Sequence, residues 1–232
     1  MNPYIEEIEG PVFEGFQAPS NCWISGVTGS GKTSLVHRML LHKDSIYSQP
    51  VSEILYCMSV EQPLYQKMRN SVPGIKFHKG LPTEVDLEEF TDGSEHTMVV
   101  LDDLMENVVK SVDIQNLFTK YSHHRNISVI YINQNMYASG PCSRNLSLNT
   151  QYFIVLCNPR DIGQIEVLAR QTGLGKLLKD SYRDCVMTKR YGYQVISLHP
   201  ADIRDADDSP RLKARIHTNI FPGENLISYI QP

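Results

Sequence analysis

Gly26-Val27-Thr28-Gly29-Ser30-Gly31-Lys32-Thr33 is the stretch that decides the fold of this 232-residue chain. The octet fits G-x-x-x-x-G-K-[ST], a loop whose backbone N–H groups curl inward around a polyphosphate. Its flanks fit as well. Asn21-Cys22-Trp23-Ile24-Ser25 reads as a short buried strand entering the loop, and Ser34 to Leu41 as a helix leaving it, with Leu35, Met39 and Leu40 apolar. The glycines allow the tight curl, and the helix N-terminus adds positive potential facing the anion. The expected nucleotide-binding set is therefore Gly26, Val27, Thr28, Gly29, Ser30, Gly31, Lys32, Thr33 and Ser34. Lys32 would reach the β- and γ-phosphates and the Thr33 hydroxyl would ligate magnesium. The expected cofactors are ATP and Mg²⁺.

Outward from the loop, the pattern alternates strand and helix, which predicts an α/β fold with a mostly parallel central sheet and helices on both faces. Further strands are expected at Val51–Met58, Gly74–His78, Thr97–Leu101, Ile127–Ile132 and Tyr152–Leu156. Tyr193–Leu198 and Leu212–Ile216 read as later strands, antiparallel at the edge. Helices are expected from Pro63 to about Asn70, from Thr83 to Phe90 with Thr83 as the cap that opens it, and from Ser111 to His124, the last with Val112, Leu117 and Tyr121 facing the core. Two more are expected from Pro159 to Gln171 and from Leu174 to about Asp180. Asp202 to Pro210 reads as a loop too short to divide the chain. The expectation is one domain over 1–232, with a core over about 16–171 and a C-terminal extension over about 172–232 that carries the edge strands.

Met98-Val99-Val100-Leu101-Asp102-Asp103 is an apolar strand ending in two acids, about 70 residues after the loop. This is a Walker B pattern: Asp102 would hold Mg²⁺ at the carboxyl end of its strand, and Asp103 would orient or deprotonate the attacking water. The spacing leaves room for an extra strand between the two motifs, as in RecA-like additional-strand P-loop NTPases. Ile130-Tyr131-Ile132-Asn133-Gln134 ends a strand in two amides. If that strand lies beside the loop strand, Asn133 or Gln134 stands near the γ-phosphate. Lys32, Asp103 and Gln134 are thus the expected catalytic residues within one chain.

Composition sets the broad class. Hydrophobic residues make up 41% and charged residues 21% of the chain, as in a folded globular protein. No apolar run has the length of a membrane span, and the acidic Glu6, Glu7 and Glu9 are unlike a signal peptide. The five cysteines show no C-x-x-C spacing. Cys22, Cys57 and Cys157 fall in predicted strands and read as reduced, small hydrophobes of an intracellular protein.

The net charge of −4 is unevenly spread. Residues 1–159 carry 11 Lys+Arg against 17 Asp+Glu, whereas residues 160–215 carry 11 against 8. Lys176, Lys179, Arg183, Lys189, Arg190, Arg211, Lys213 and Arg215 would supply a nucleic-acid face or simply a solvated surface.

Several segments resemble the FtsK–HerA superfamily, especially the genome-packaging ATPases of poxvirus-like viruses and of Polinton/Maverick and adintovirus elements. The resemblance runs from about Phe16 to Gln171. It rests on the loop octet, on Val99–Asp103, on His123-His124-Arg125-Asn126 leading into Ile127–Gln134, and on Arg144–Tyr152 leading into Asn158-Pro159-Arg160-Asp161. It implies a homo-oligomeric ring with ATP hydrolysed at subunit interfaces, translocation of double-stranded DNA, and capsid or portal proteins as partners. It also implies residence in the host cytoplasm or nucleus or with the virion, and no membrane. In such rings a neighbour's arginine reaches the γ-phosphate; Arg125 matches the family position best, with Arg144 and Arg160 in reserve. The chain departs from the family in carrying Asp103 where glutamate is usual.

Two motifs are set aside. Gly173-Leu174-Gly175-Lys176 lacks a preceding strand and reads as a helix-to-helix turn. His123-His124 are adjacent on a helix, with no acid or cysteine to complete a metal site. A P-loop kinase and a slow nucleotide switch are the alternative functions, but no arginine-rich lid supports the first and no loop residue is missing to support the second.

Overall fold

The apolar runs pair into one ten-stranded sheet in the computed structural model, which describes residues 5–6, 15–137, 139–160, 162–202 and 215–229. The strands are β1 (Ile5–Glu6), β2 (Asn21–Ser25), β3 (Ile54–Met58), β4 (Ile75–Lys79) and β5 (Thr97–Asp102). They continue with β6 (Ile127–Asn133), β7 (Tyr152–Leu156), β8 (Tyr193–Ser197), β9 (Arg215–Thr218) and β10 (Ile227–Tyr229). Their spatial order is β1-β10-β9-β8-β7-β2-β6-β5-β3-β4. The block from β7 to β4 is parallel, and β8, β9, β10 and β1 extend it antiparallel. β6 lies between the loop strand β2 and the acid-ending strand β5, which is the additional-strand arrangement.

Two cores follow from the pleat. Successive side chains point to opposite faces, so neighbours in one strand serve different layers. Trp23, Val99, Leu101, Val129, Tyr131 and Phe153 pack on one face; Cys22, Ile24, Val100, Ile130, Ile132 and Ile154 pack on the other. The second face is covered by α1 (Lys32–Leu41) and α3 (Pro63–Ser71) through Val36, Met39, Tyr65 and Met68. The first is covered by α4 (Glu84–Phe90), α6 (Val112–Asn116), α8 (Ser143–Leu148), α9 (Gly163–Thr172) and α10 (Gly175–Tyr182). Burial on both faces explains why β5 and β6 read as unbroken apolar runs. Short helices α2 (Lys43–Ile46), α5 (Met105–Val108) and α7 (Ser122–His124) complete the set.

Differences from the sequence reading have local causes. The helix expected over Ser111–His124 is α6 and α7 joined by a π-helical turn at Leu117–Tyr121. Its buried stripe is Ile114, Leu117 and Phe118, while Val112 is 64% exposed. Those three are spaced i, i+3, i+4, and Val112 lies about 200° around the helix from Ile114. Thr83 caps α4 as expected, in a reciprocal capping box with Asp86. The helix expected from Pro159 begins at Gly163. Cys157 falls just beyond β7 and is half-buried; the other four cysteines are buried, and all five are free thiols. β1, β10, α2, α5 and α8 are too short to show a period. Residues 212–214 of the expected strand, most of the Asp202–Pro210 loop, Arg211 and Lys213 lie outside the described residues. Asp202 itself is buried and accepts hydrogen bonds from Tyr152 Oη at 2.8 Å and Ser197 Oγ at 2.5 Å.

The antiparallel extension carries a pH-sensitive group. His217 on β9 is buried, with Nδ1 2.8 Å from Ser228 Oγ on β10. Burial holds its imidazole down at about 4, with Arg215 adding to the effect and Asp202 opposing it. The unfolded chain takes up this proton near 6.5, so stability is fully present above that pH and is lost as pH falls toward 4. His217→Asn should remove on the order of 2–3 kcal/mol of that pH-dependence, read as the difference between wild-type and variant urea unfolding curves from pH 7 to pH 4.

Candidate functional site

The octet forms a tight loop between β2 and α1. Gly29 and Gly31 adopt left-handed backbone angles, φ 80° and 97°, and Gly31 caps α1. A Cβ on Gly26 would stand 2.7 Å from Ser30 Oγ and 2.9 Å from Leu156 Cβ, so this turn admits only glycine without rearrangement. Lys32 Nζ folds back and donates to the carbonyls of Gly26 at 2.7 Å and Val27 at 3.0 Å. Its pKa is lowered by burial, against the opposing pull of Asp102 and Asp103.

Asp102 ends β5 directly across from this loop. It is buried, and its Oδ2 accepts from Tyr56 Oη at 2.6 Å, Tyr65 Oη at 3.0 Å and Thr33 Oγ1 at 3.3 Å. Burial raises the carboxyl's pKa, and the tyrosine hydroxyls counter that by stabilising the anion. Both tyrosines are themselves pushed up by burial and by Asp102, so they remain donors. The next residue differs in every respect. Asp103 is exposed, and its φ of 55° is uncommon outside glycine. That backbone turns Asp103 toward the same cavity that Lys32 and Asp102 line.

β6 delivers the two amides. The β2–β6 register pairs Ser25 with Asn133, setting the strand end beside the loop. Asn133 is buried; its Oδ1 accepts from Trp23 Nε1 at 3.0 Å and its Nδ2 donates to the Asn135 carbonyl at 2.7 Å. Gln134 is exposed, lines the cavity and makes no side-chain hydrogen bond among the described residues. The amide free to act on a ligand is therefore Gln134, while Asn133 is held as a strut.

These groups surround one cavity of about 680 Å³. Thr28, Gly29, Gly31, Lys32, Thr33 and Ser34 of the expected nucleotide set line it, with Asp102, Asp103 and Gln134. Gly26, Val27 and Ser30 build the turn beneath. The structure does not bring Arg125 to this cavity. Arg125 precedes β6 at the opposite end of the sheet, roughly 20 Å of strand from Gln134. There it pairs with Glu88 at 2.8 Å and lies over the Tyr121 ring at 4.8 Å. Arg144 is exposed on α8, and Arg160 is exposed just past the C-terminal end of β7, the end at which the loop sits. Gly173 and Gly175 shape the turn between α9 and α10, as expected. Lys176 and Arg183 both face Asp180, at 3.9 and 3.6 Å.

The residues present fit a polyphosphate and a magnesium ion. Ser30 Oγ is buried without a hydrogen-bond partner, a cost a loop ligand would relieve. Thr33 and Asp102 offer hard oxygen donors in contact, and Oδ1 of Asp102 takes none of the three hydroxyl bonds. No cluster of three or more His, Cys, Asp or Glu occurs among the described residues. Magnesium suits such a place because it takes one or two protein oxygens plus phosphate and water rather than a full protein cage.

Sequence reasoning missed Tyr56, Tyr65, Arg38, Tyr191 and Tyr193, which the structure places at or against the site. The first two sit inside elements whose periodicity marks them only as core.

Fold and site together define a P-loop NTPase fold of the additional-strand type. No protein-family model matches the chain, and no curated protein matches it. Among solved structures, the genome packaging NTPase B204 from Sulfolobus turreted icosahedral virus 2, in complex with ATP-gammaS, superposes with a TM-score of 0.54 at 11% identity. That match covers 87% of this chain and 98% of the other. The DNA-packaging ATPase B204 from Sulfolobus Turreted Icosahedral Virus superposes with a TM-score of 0.54 at 14% identity over 86% and 97%. At such identities the likeness is one of fold. No helix among the described residues is long and apolar enough to cross a membrane.

Tyr56→Phe removes the shortest bond to a buried carboxylate. It should lower the unfolding free energy by about 1.5–3 kcal/mol at pH 7, measured by urea denaturation, with no change in far-ultraviolet circular dichroism.

Proposed function

We propose that this chain is an ATP-hydrolysing subunit of a homo-oligomeric ring that drives double-stranded DNA into a viral capsid. The observation that carries the hydrolytic part is the convergence of Lys32, Thr33, Asp102, Asp103 and Gln134 from three separate strand ends onto one cavity. The packaging part is supported by the fold likeness to the B204 NTPases over nearly their whole length, and by the sequence resemblance to FtsK–HerA packaging ATPases.

In this reading the backbone amides of Gly29 to Thr33 hold the phosphates, and Lys32 leaves the Gly26 and Val27 carbonyls to bridge β- and γ-phosphate oxygens. Thr33 and Asp102 hold magnesium, which when bound neutralises charge developing on the phosphates. Asp103 takes the proton of the attacking water, and Gln134 orients that water. The aspartate side chain is one methylene shorter than the family's glutamate, about 1.5 Å less reach. Asp103 nonetheless lines the cavity beside Lys32 and Asp102, from a left-handed backbone that aspartate tolerates.

A trans-acting arginine would complete the site. Ring interfaces are heterologous, so such an arginine lies on a different face from the loop it reaches. Arg160 is exposed, whereas Arg125 would have to leave Glu88, and these two are the candidates to compare. Capsid or portal proteins are the expected assembly partners, and the host cytoplasm, the nucleus or the virion the expected place of action.

Four variants and two added ligands test this. Lys32→Ala should abolish nucleotide binding. Asp103→Asn should bind ATP with unchanged affinity yet hydrolyse it at least about 100-fold more slowly. Wild-type turnover should rise on addition of double-stranded DNA and be indifferent to nucleoside acceptors; the reverse pattern would make the chain a kinase. In mixing experiments, inactive Arg160→Ala and inactive Lys32→Ala proteins should restore partial activity together. Arg125→Ala run in parallel decides between the two arginines.

A further inference from the structure

Beyond its phosphate end the cavity opens onto a second wall, made by Leu35 and Arg38 of α1 with Tyr191 and Tyr193. Tyr191 stands out there on three counts. Its φ of 60° is left-handed, a conformation that bulky residues rarely adopt. It is 58% exposed despite being aromatic. It also leans on the P-loop itself, since a Cβ on Gly31 would stand 3.2 Å from Tyr191 Cδ1.

The two residues that follow impose that position. Gly192 packs so closely on the carbonyl of Cys185, in a π-helical turn over Arg183–Met187, that any Cβ there would collide. Tyr193 begins β8 and pairs with Leu156 at the end of β7. The ring is thus carried directly before a closely packed, strand-paired anchor and held above the loop. A strained, exposed aromatic at a cavity mouth points to a ligand.

We infer that Tyr191 is the stacking platform for the nucleobase, and that the site accepts nucleoside triphosphates with little regard to which base they carry. This rests on the P-loop reading above. Phosphates held at Gly29–Thr33 send the nucleoside outward over the first turns of α1, where Leu35, Arg38 and Tyr191 face the cavity. Stacking needs only a flat π-face, which every base has. Reading a base edge needs side-chain donors and acceptors that are not already engaged. At this wall Tyr193 Oη accepts from the Ile220 amide at 3.0 Å, and Arg38 Nη1 donates to Glu224 at 2.6 Å with its guanidinium 4.0 Å from the Phe221 ring centre. Tyr191 Oη accepts from Arg190 at 3.3 Å. The hydroxyl oxygens of this wall and one arm of Arg38 are thus engaged, and the Arg190 guanidinium lies over the Tyr191 ring 5.1 Å from its centre, so a base stacks on the other face of this exposed ring.

The test titrates the full chain calorimetrically with ATP, GTP and inorganic tripolyphosphate at fixed magnesium. Tyr191→Ala should weaken ATP and GTP alike by about 10-fold or more, leaving tripolyphosphate affinity unchanged, while Tyr191→Phe should bind all three as wild type does. Unchanged ATP affinity in Tyr191→Ala would overturn the inference. So would an equal loss of tripolyphosphate, which would mean that the loop itself had been disturbed, or a wild-type preference between ATP and GTP beyond about 10-fold. If the wild type bound no tripolyphosphate while Tyr191→Ala still weakened both nucleotides, the P-loop reading would fall and the stacking platform would stand. If the wild type bound none of the three, both would fall.

Discussion

A carboxylate buried at the end of β5 is the constraint around which the site is arranged. Asp102 is 3% exposed, and an anion so placed is tolerated only with strong donors on it. Three hydroxyls supply them, each from a different element: Tyr56 from β3, Tyr65 from α3 and Thr33 from α1. One carboxyl group thereby ties β3, α3 and the loop helix α1 to β5. The same bonds set the loop and the acid at contact distance, which is the geometry that a magnesium–phosphate ligand needs.

Strand order supplies the second element of the site. With β6 inserted between β2 and β5, its end lies between the loop and the acids, and the amides that end it arrive there by register alone. The two amides then divide the work. The Trp23 indole N–H fixes Asn133, and Gln134 is left facing the cavity. A hydrogen bond between the core and one amide thus decides which of two adjacent, similar side chains is available for chemistry.

The antiparallel extension contributes more than an edge. β8 begins at the wall of the cavity, and the hairpin from β9 to β10 reaches back to α1, where Glu224 and Phe221 hold Arg38. The residues beyond the loop, acid and amide motifs therefore shape the outer half of the pocket. That half carries the aromatic residues and the loop half carries the charges, a division suited to a ligand with a flat apolar end and an anionic one.

The loop octet, the acid-ending strand and the amide-ending strand were legible because each couples a burial period to an abrupt polar stop, which local sequence records directly. The parallel core was legible for the same reason: strands buried on both faces must be apolar throughout. The helix over Ser111–His124 was read in the wrong phase at Val112, although Ile114, Leu117 and Phe118 keep the helical period; the π-helical turn that follows leaves no mark in the sequence. Tyr56 and Tyr65 were invisible as site residues, since a tyrosine in a core strand or helix looks the same whether its hydroxyl meets a carboxylate or not. The placement of Arg125 also depended on tertiary structure, because a residue at the start of a strand and one at its end are neighbours in sequence and opposite poles of the sheet. Sequence alone determined which chemical groups exist and the strand ends that carry them. The tertiary structure decided which of those groups share a cavity, because only strand order, register and packing bring residues dozens of positions apart within a few ångströms.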